Sequence, residues 1–82
     1  MRRAAESVPG VCSCHSIRSR GSRGEVYIDL HIGVDPALSV DQAHRLSMDV
    51  EERIKRSISG VADVVVHLEP RDFCELEGGD RR

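Results

Sequence analysis

The sequence predicts an α+β domain, an open-faced sandwich in which helices cover one face of a three-stranded sheet. Three observations lead to this class. Apolar residues alternate with polar ones over residues 25–34, as in a strand with one buried face. Apolar residues then recur at helical spacing over residues 43–58, and a β-branched run over residues 63–70 predicts a further strand. Two antiparallel strands, a crossover helix and a third strand are typical of ferredoxin-like domains.

The chain before the second strand is expected to hold a helical stretch, a first strand and a turn. Residues 1–8 are expected to be the remnant of a helix or a linker, ended by a Pro-Gly pair. Residues 11–20 predict a strand whose alternation is imperfect, and a β-bulge near Cys14 would let both Cys14 and Ile17 face the core. Gly-Ser-Arg-Gly at 21–24 predicts a hairpin turn.

The second strand and the helix each carry one apolar face. His31 falls on the side of its strand opposite the apolar residues. Ser39 and Gln42 form a predicted capping box, so a helix should begin there. Gly60 is placed to end that helix at the C′ position. On the helical wheel His44 lies at the border of the apolar stripe, able to lean toward the edge of the sheet.

The last strand, residues 63–70, places His67 and Glu69 on one face and three apolar residues on the other. Two residues apart on a strand means roughly 6.5–7 Å between Cα atoms, so the imidazole and the carboxylate can converge on one ion. The proline that follows ends the ladder because it has no N–H to donate. We expect a domain over residues 9–73 and a flexible tail over residues 74–82.

Composition limits the classes of function. The chain has 82 residues, of which 2% are aromatic, so we expect a thin core that a dimer partner or a bound metal would stabilise. The net charge of −2 comes from mixed acidic and basic residues, and no broad basic face argues for nucleic acid. No run approaches the ~20 apolar residues that span a bilayer, and no signal core follows the basic start. The chain is therefore expected to be cytoplasmic as expressed.

Histidines and one carboxylate predict a metal site on the sheet face opposite the core. His31, His67 and Glu69 share that face. His15 lies on a strand expected to neighbour them, and His44 borders the helix stripe. Imidazole nitrogens with a carboxylate oxygen suit Zn²⁺ best, with Mn²⁺, Fe²⁺, Co²⁺, Ni²⁺ or Cd²⁺ as further options. Ligating imidazoles must be neutral, so binding is expected to weaken below about pH 6.5.

The cysteines leave alternatives open. Cys12 and Cys14 could hold a soft ion such as copper or cadmium in a free-standing carrier, with Cys74 as a third thiolate. The odd count of three cysteines fits reduced, buried thiols better than a disulfide framework. A third interpretation is a structural dimer module whose histidines bind nothing. No phosphate loop or nucleophile elbow is present, so we assign no catalysis and expect no enzyme.

Several motifs resemble the cytosolic C-terminal domain of the cation diffusion facilitator (cation efflux) transporters. The resemblance covers about residues 9–70. Its most specific part is the Val-His-x-Glu-Pro motif, combined with an upstream Ala-His pair. The matching segments are Pro-Gly-Val at 9–11, Asp-Leu-His-Ile at 29–32, Asp-Pro at 35–36, Ala-His at 43–44 and Val-His-Leu-Glu-Pro at 66–70.

This resemblance implies a metallochaperone-like fold that forms a homodimer and binds metal near the dimer interface. Members of the family export divalent cations in exchange for protons through a membrane-spanning part, which these residues are not expected to include. The implied role is that of a regulatory and dimerisation domain, on the cytosolic face of a membrane when it belongs to a full transporter. Zinc-exporting members often have Asp where Glu69 stands. The positions that match family ligands are His15, His31, His44, His67 and Glu69.

Overall fold

The structure, a computed structural model, describes residues 2–22 and 24–71. The predicted tail over residues 74–82 lies outside the described residues. In the part that is described, no helix is both long and apolar enough to cross a membrane. The elements in chain order are α1 (Arg2–Glu6), β1 (Ser13–Ser22), β2 (Glu25–Val34), α2 (Val40–Ser57) and β3 (Val61–Pro70).

Strand β2 is the centre of the sheet. Strand β1 pairs with it antiparallel on one side, and β3 pairs with it parallel on the other. A parallel pair needs a crossover connection, and helix α2 provides it. The predicted α+β class, a ferredoxin-like three-stranded sheet with helices on one face, is confirmed.

Both helices pack on the same face of the sheet. In β2, Leu30 and Ile32 are fully buried, and they pack in one cluster with Val50 and Ile54 of α2. Ala5 of α1 belongs to the same cluster. Since side chains alternate along a strand, the residues of β2 between these positions point away from the helices. The second face of the sheet is therefore left open.

A β-bulge in β1 changes the face of the sheet on which the residues after His15 lie. The register shifts by one residue between His15 and Arg18, and Ser16 has a φ of 54°, in the left-handed region. Strict alternation would place Ile17 on the same face as His15. With the extra residue, Cys14 is 2% exposed and Ile17 packs against the core. The predicted bulge is confirmed, and its centre lies two residues beyond Cys14.

The hairpin and the helix start follow the sequence prediction closely. Ser22 pairs with Glu25 across the hairpin, so β1 extends two residues further than predicted. Ser39 caps α2, and its hydroxyl and the Gln42 side chain form both hydrogen bonds of the capping box. The C′ position predicted for Gly60 is wrong by one residue, because the chain becomes extended already at the C-cap residue, Ile58.

Candidate metal centre

One row of imidazoles crosses the open face of the sheet. His15, His31 and His67 stand directly opposite one another on the three strands. The ring centroids of His15 and His31 are 5.8 Å apart, and those of His31 and His67 are 4.6 Å apart. The bulge in β1 begins only after His15, so it does not disturb this row.

Glu69 connects two of these imidazoles. Its Oε1 lies 3.0 Å from Nε2 of His15, and its Oε2 lies 2.7 Å from Nδ1 of His31. Glu69 pairs with Gly33, the next outward position along β2, so its side chain reaches back over the histidine row. A single carboxylate from β3 thereby bridges β1 and β2.

The imidazoles favour the ionised form of this carboxylate. The hydrogen bond from His31 is the main cause that lowers the pKa of Glu69 below its ordinary value of 4.5, with a smaller contribution from His15. The Glu69 side chain is 40% exposed, so water screens these interactions. Glu69 is therefore a carboxylate at neutral pH, the state that a metal ligand requires.

The donor set fits a borderline divalent cation. One ligand atom from each of His15, His31 and Glu69 lies within 4.8 Å of the other two. Two imidazole nitrogens and one carboxylate oxygen are the protein ligands of many zinc sites that keep a fourth position open. Nδ1 of His15, the ring nitrogen that does not face Glu69, is buried without a hydrogen-bond partner among the described residues. The three converging ligand atoms, and not this nitrogen, therefore make the site a candidate for cation binding.

His67 lies beside this group of three. Its ring stacks on that of His31 with an interplanar angle of 17°, and it is not among the residues whose ligand atoms converge. A rotation of its side chain is needed before a ring nitrogen of His67 can reach the same ion. The structure thus brings three of the five predicted ligands together and places a fourth next to them.

His44 is not brought into the group. It is an exposed residue of α2, and α2 covers the sheet face opposite the histidine row. Within one protomer, among the residues that the structure describes, His44 has no ligand atom near the other four. Its role as a ligand stays a prediction, and it requires a partner subunit or a separate site.

The cysteines do not contribute to this centre. Cys14 lies in the core on the opposite side of β1 from His15. Burial raises the pKa of the Cys14 thiol, which opposes the thiolate form that binds metals. Cys12 is 1% exposed and disulfide-bonded, so the expectation of a reduced thiol is wrong for Cys12. A soft-metal site built on this pair would lack a thiolate at Cys12.

Sequence reasoning missed one charged residue next to the centre. The side chain of Arg71 folds over Gly33, and its Nε donates a hydrogen bond of 3.2 Å to Oγ of Ser13. The signal was present in the sequence, because alternation places residue 71 on the same face as His67 and Glu69. The proline at position 70 predicts the end of the strand, so residue 71 lies outside the segment in which ligands are expected.

Fold and site together define a small α+β domain with a candidate cation site on its open sheet face. Residues 1–71 match the family model described as "Cation efflux protein, cytoplasmic domain". The chain belongs to this family. The family is one of transporter domains and not a class of enzymes.

Curated relatives carry names that agree with this family. Metal tolerance protein 2 of Oryza sativa subsp. japonica is 41% identical over 61 residues, which cover 74% of this chain and 16% of that protein. Metal tolerance protein C1 of Arabidopsis thaliana is 36% identical over 70 residues, 85% of this chain and 15% of that protein. The cation-efflux pump FieF of Pectobacterium atrosepticum is 34% identical over 62 residues, 76% of this chain and 20% of that protein. The chain thus spans a fifth or less of the length of these relatives.

Solved structures of the MamM CTD, each of a variant with one substitution, have the same fold. One of them has a TM-score of 0.80 and 34% identity, covering 87% of this chain and 89% of that chain. A nickel form has a TM-score of 0.80 and 32% identity, covering 87% and 90%. A cadmium form has a TM-score of 0.80 and 32% identity, covering 87% and 89%.

Proposed function

We propose that this chain is the divalent-metal-binding regulatory and dimerisation domain of a cation diffusion facilitator. The observation that carries the proposal is the bridge from the Glu69 carboxylate to His15 and His31. Two nitrogens and one oxygen make Zn²⁺ the first candidate, ahead of Mn²⁺ and Fe²⁺, for which imidazole sites have lower affinity. The nickel and cadmium forms of the MamM CTD support divalent cations as the class of ligand.

Each residue has its own role in this proposal. His15 would bind through Nε2, His31 through Nδ1, and Glu69 through its carboxylate. His67 would rotate out of its stack with His31 to complete the set, and His44 would contribute from a partner subunit or form a second site. When bound, the cation would supply a positive centre that joins the three strands of the sheet.

The hydrogen bonds in this site imply that metal binding would displace protons from the ligating nitrogens. A carboxylate accepts hydrogen bonds and cannot donate them, so Nε2 of His15 and Nδ1 of His31 each carry a proton toward Glu69. These same nitrogens must be free of protons when they ligate a metal. Loading of the site therefore moves each proton to the other ring nitrogen or releases it to water.

The regulatory part of the proposal concerns a dimer attached to a membrane domain. A cation held near the interface of two protomers would favour one arrangement of the dimer only through its higher affinity for that arrangement. In a full transporter, the membrane part would carry out cation efflux by proton antiport, with this domain on its cytosolic face. The bias between dimer arrangements would pass from the domain to that membrane part.

Calorimetric titration of Zn²⁺ into metal-stripped protein tests the proposal, with light scattering to follow dimer mass. Saturable binding is expected for the unchanged protein, and a loss of at least about 100-fold in affinity for Glu69→Gln, because a carboxylate ligand is removed. Glu52→Gln is the matched control, since Glu52 pairs only with Arg56 on the exposed side of α2. Folded protein that binds neither Zn²⁺ nor Mn²⁺, Fe²⁺, Co²⁺, Ni²⁺ or Cd²⁺ would refute the proposed function.

A further inference from the structure

We propose that Arg71 sets the cation affinity of the centre, by holding an uncompensated positive charge beside it. This inference rests on the proposed cation binding at His15, His31 and Glu69. The inference predicts the direction of an effect on affinity. The guanidinium weakens the binding of a divalent cation, and its removal strengthens that binding. A residue that only shaped the site would have the opposite effect when removed.

Arg71 is fixed at two points. Its backbone N–H donates a hydrogen bond of 2.8 Å to the carbonyl oxygen of Val34 in β2. Its side chain then crosses β2, and Nε donates to Oγ of Ser13 in β1 at 3.2 Å. Arg71 is exposed, and this hydrogen bond favours the rotamer in which its side chain crosses the sheet.

Gly33 makes this crossing possible. A Cβ atom at position 33 would lie 2.4 Å from Cγ and 2.9 Å from Nε of Arg71, closer than non-bonded atoms approach. It would also lie 2.6 Å from Oγ of Ser13. Only glycine leaves the space in which the arginine side chain lies flat on the strand. The position of the guanidinium is therefore built into the sheet.

The crossing runs alongside the candidate centre. Ser13 is two residues from His15 on β1, and Gly33 is two residues from His31 on β2. Residues two apart on a strand share a face and are separated by roughly 6.5–7 Å between Cα atoms. The side chain of Arg71 thus lies over the row formed by Ser13, Gly33 and Glu69, which is the direct neighbour of the imidazole row. At this range two like charges repel measurably at low ionic strength.

The charge on Arg71 is not neutralised by the residues that the structure describes. No carboxylate among them lies within ion-pair distance of Arg71, whereas Arg18, on the other side of the imidazole row, pairs with Asp29 at 3.4 Å. Arg71 therefore contributes a full positive charge to the surroundings of the site, while the charge of Arg18 is largely compensated by its partner.

Zinc titrations of the metal-stripped chain at about 0.01 M and about 1 M salt test the direction of this effect on affinity. The electrostatic screening length falls about tenfold between the two conditions. Arg71→Gln is expected to bind Zn²⁺ about two- to tenfold more tightly at low salt, and the gain should fall below about twofold at high salt. Arg71→Lys, which keeps the charge, should stay within about twofold of the unchanged protein.

Two further variants complete the test. Ser13→Ala keeps the charge but releases the side chain, so a gain smaller than that of Arg71→Gln is expected. Arg53→Gln is the matched control, because Arg53 also donates to a serine, Oγ of Ser7 at 2.6 Å, but on the helical side of the domain. Circular dichroism confirms that each variant is folded before it is titrated.

The outcomes separate the inference from the function on which it rests. Unchanged or weaker binding by folded Arg71→Gln at low salt overturns the role of Arg71 and leaves the proposed function intact. A gain that persists at high salt also overturns it, because the cause is then not a screened charge. Failure of the unchanged protein to bind any divalent cation removes the proposed function and this inference together.

Discussion

The two faces of strand β2 differ in burial and in chemistry. On the inner face Ile28, Leu30 and Ile32 are between 0% and 2% exposed, and they pack against the helices. On the outer face the side chain of His31 is 33% exposed and hydrogen-bonds to Glu69. Adjacent residues of one strand thus serve the fold and the site separately. Substitutions at the inner positions of β2 should therefore change the stability of the domain. Substitutions at the outer positions should change cation binding.

The largest effect expected from this division is on stability. Leu30→Ala should lower the free energy of unfolding by about 2–5 kcal/mol, because it removes a fully buried side chain and leaves a cavity. His31→Ala, one residue away on the open face, should change it by less than about 1 kcal/mol. Urea denaturation followed by circular dichroism measures both. Similar losses for the two variants would show that the faces are not independent.

Within the open face, the two neighbouring histidines should differ in cation binding. His31→Ala should weaken Zn²⁺ binding at least about 100-fold, because its Nδ1 already faces the carboxylate. His67→Ala should weaken binding less, about tenfold, because His67 must leave its stack on His31 before it can ligate, and this rearrangement offsets part of what a further ligand contributes. Calorimetry gives both values. No loss for His67→Ala would contradict the proposal that His67 completes the ligand set.

Substitutions at Ser16, in the bulge of β1, should have a smaller effect on stability. Ser16→Val should destabilise the domain by about 1–2 kcal/mol, because a β-branched residue is strained at a φ of 54°. Ser16→Gly should be neutral or slightly stabilising, because glycine adopts this conformation without strain. Thermal unfolding distinguishes them. A neutral Ser16→Val would mean that β1 can lose its bulge without cost.

The smallest expected effect is the acid dependence of the metal-free protein. The pKa of Glu69 is lower in the folded chain than its ordinary value of 4.5. Its contribution to stability is therefore present above pH 4.5 and is lost as the pH falls through the lowered pKa. Glu69→Gln should flatten the stability profile in that acidic range. Urea midpoints measured between about pH 6 and pH 3 provide the test, and parallel profiles would contradict it.

Much of the fold was predictable because local signals agreed with one another. The alternation in β2 and the capping box at Ser39 lie within a few residues of the features that they specify. The bulge could be predicted from the conflict between Cys14 and Ile17, which strict alternation cannot bury together. The helix end was predicted less well, because Gly60 was expected at C′, whereas the backbone is already extended at Ile58.

The sequence could predict which site residues share a face of the sheet. It could not predict which of their side chains are in contact. Alternation places His31, His67 and Glu69 on one side of the sheet, yet it does not fix rotamers. The stack of His67 on His31, and the reach of Glu69 back to His15, depend on side-chain packing across three strands. Arg71 is a further example, because its position depends on the absence of a side chain at Gly33.

The crossover through α2 has a consequence for how the domain folds. His15 and His31 come together when the local hairpin closes, but Glu69 is 38 residues beyond His31 and arrives only when β3 docks. An unfolded chain therefore offers a cation no such set of donors, and the proposed binding would act on the folded state alone. Free cation at 100 times its dissociation constant would then add about 2.7 kcal/mol to the free energy of unfolding. For a domain this thin, the supply of metal would become part of its folding equilibrium.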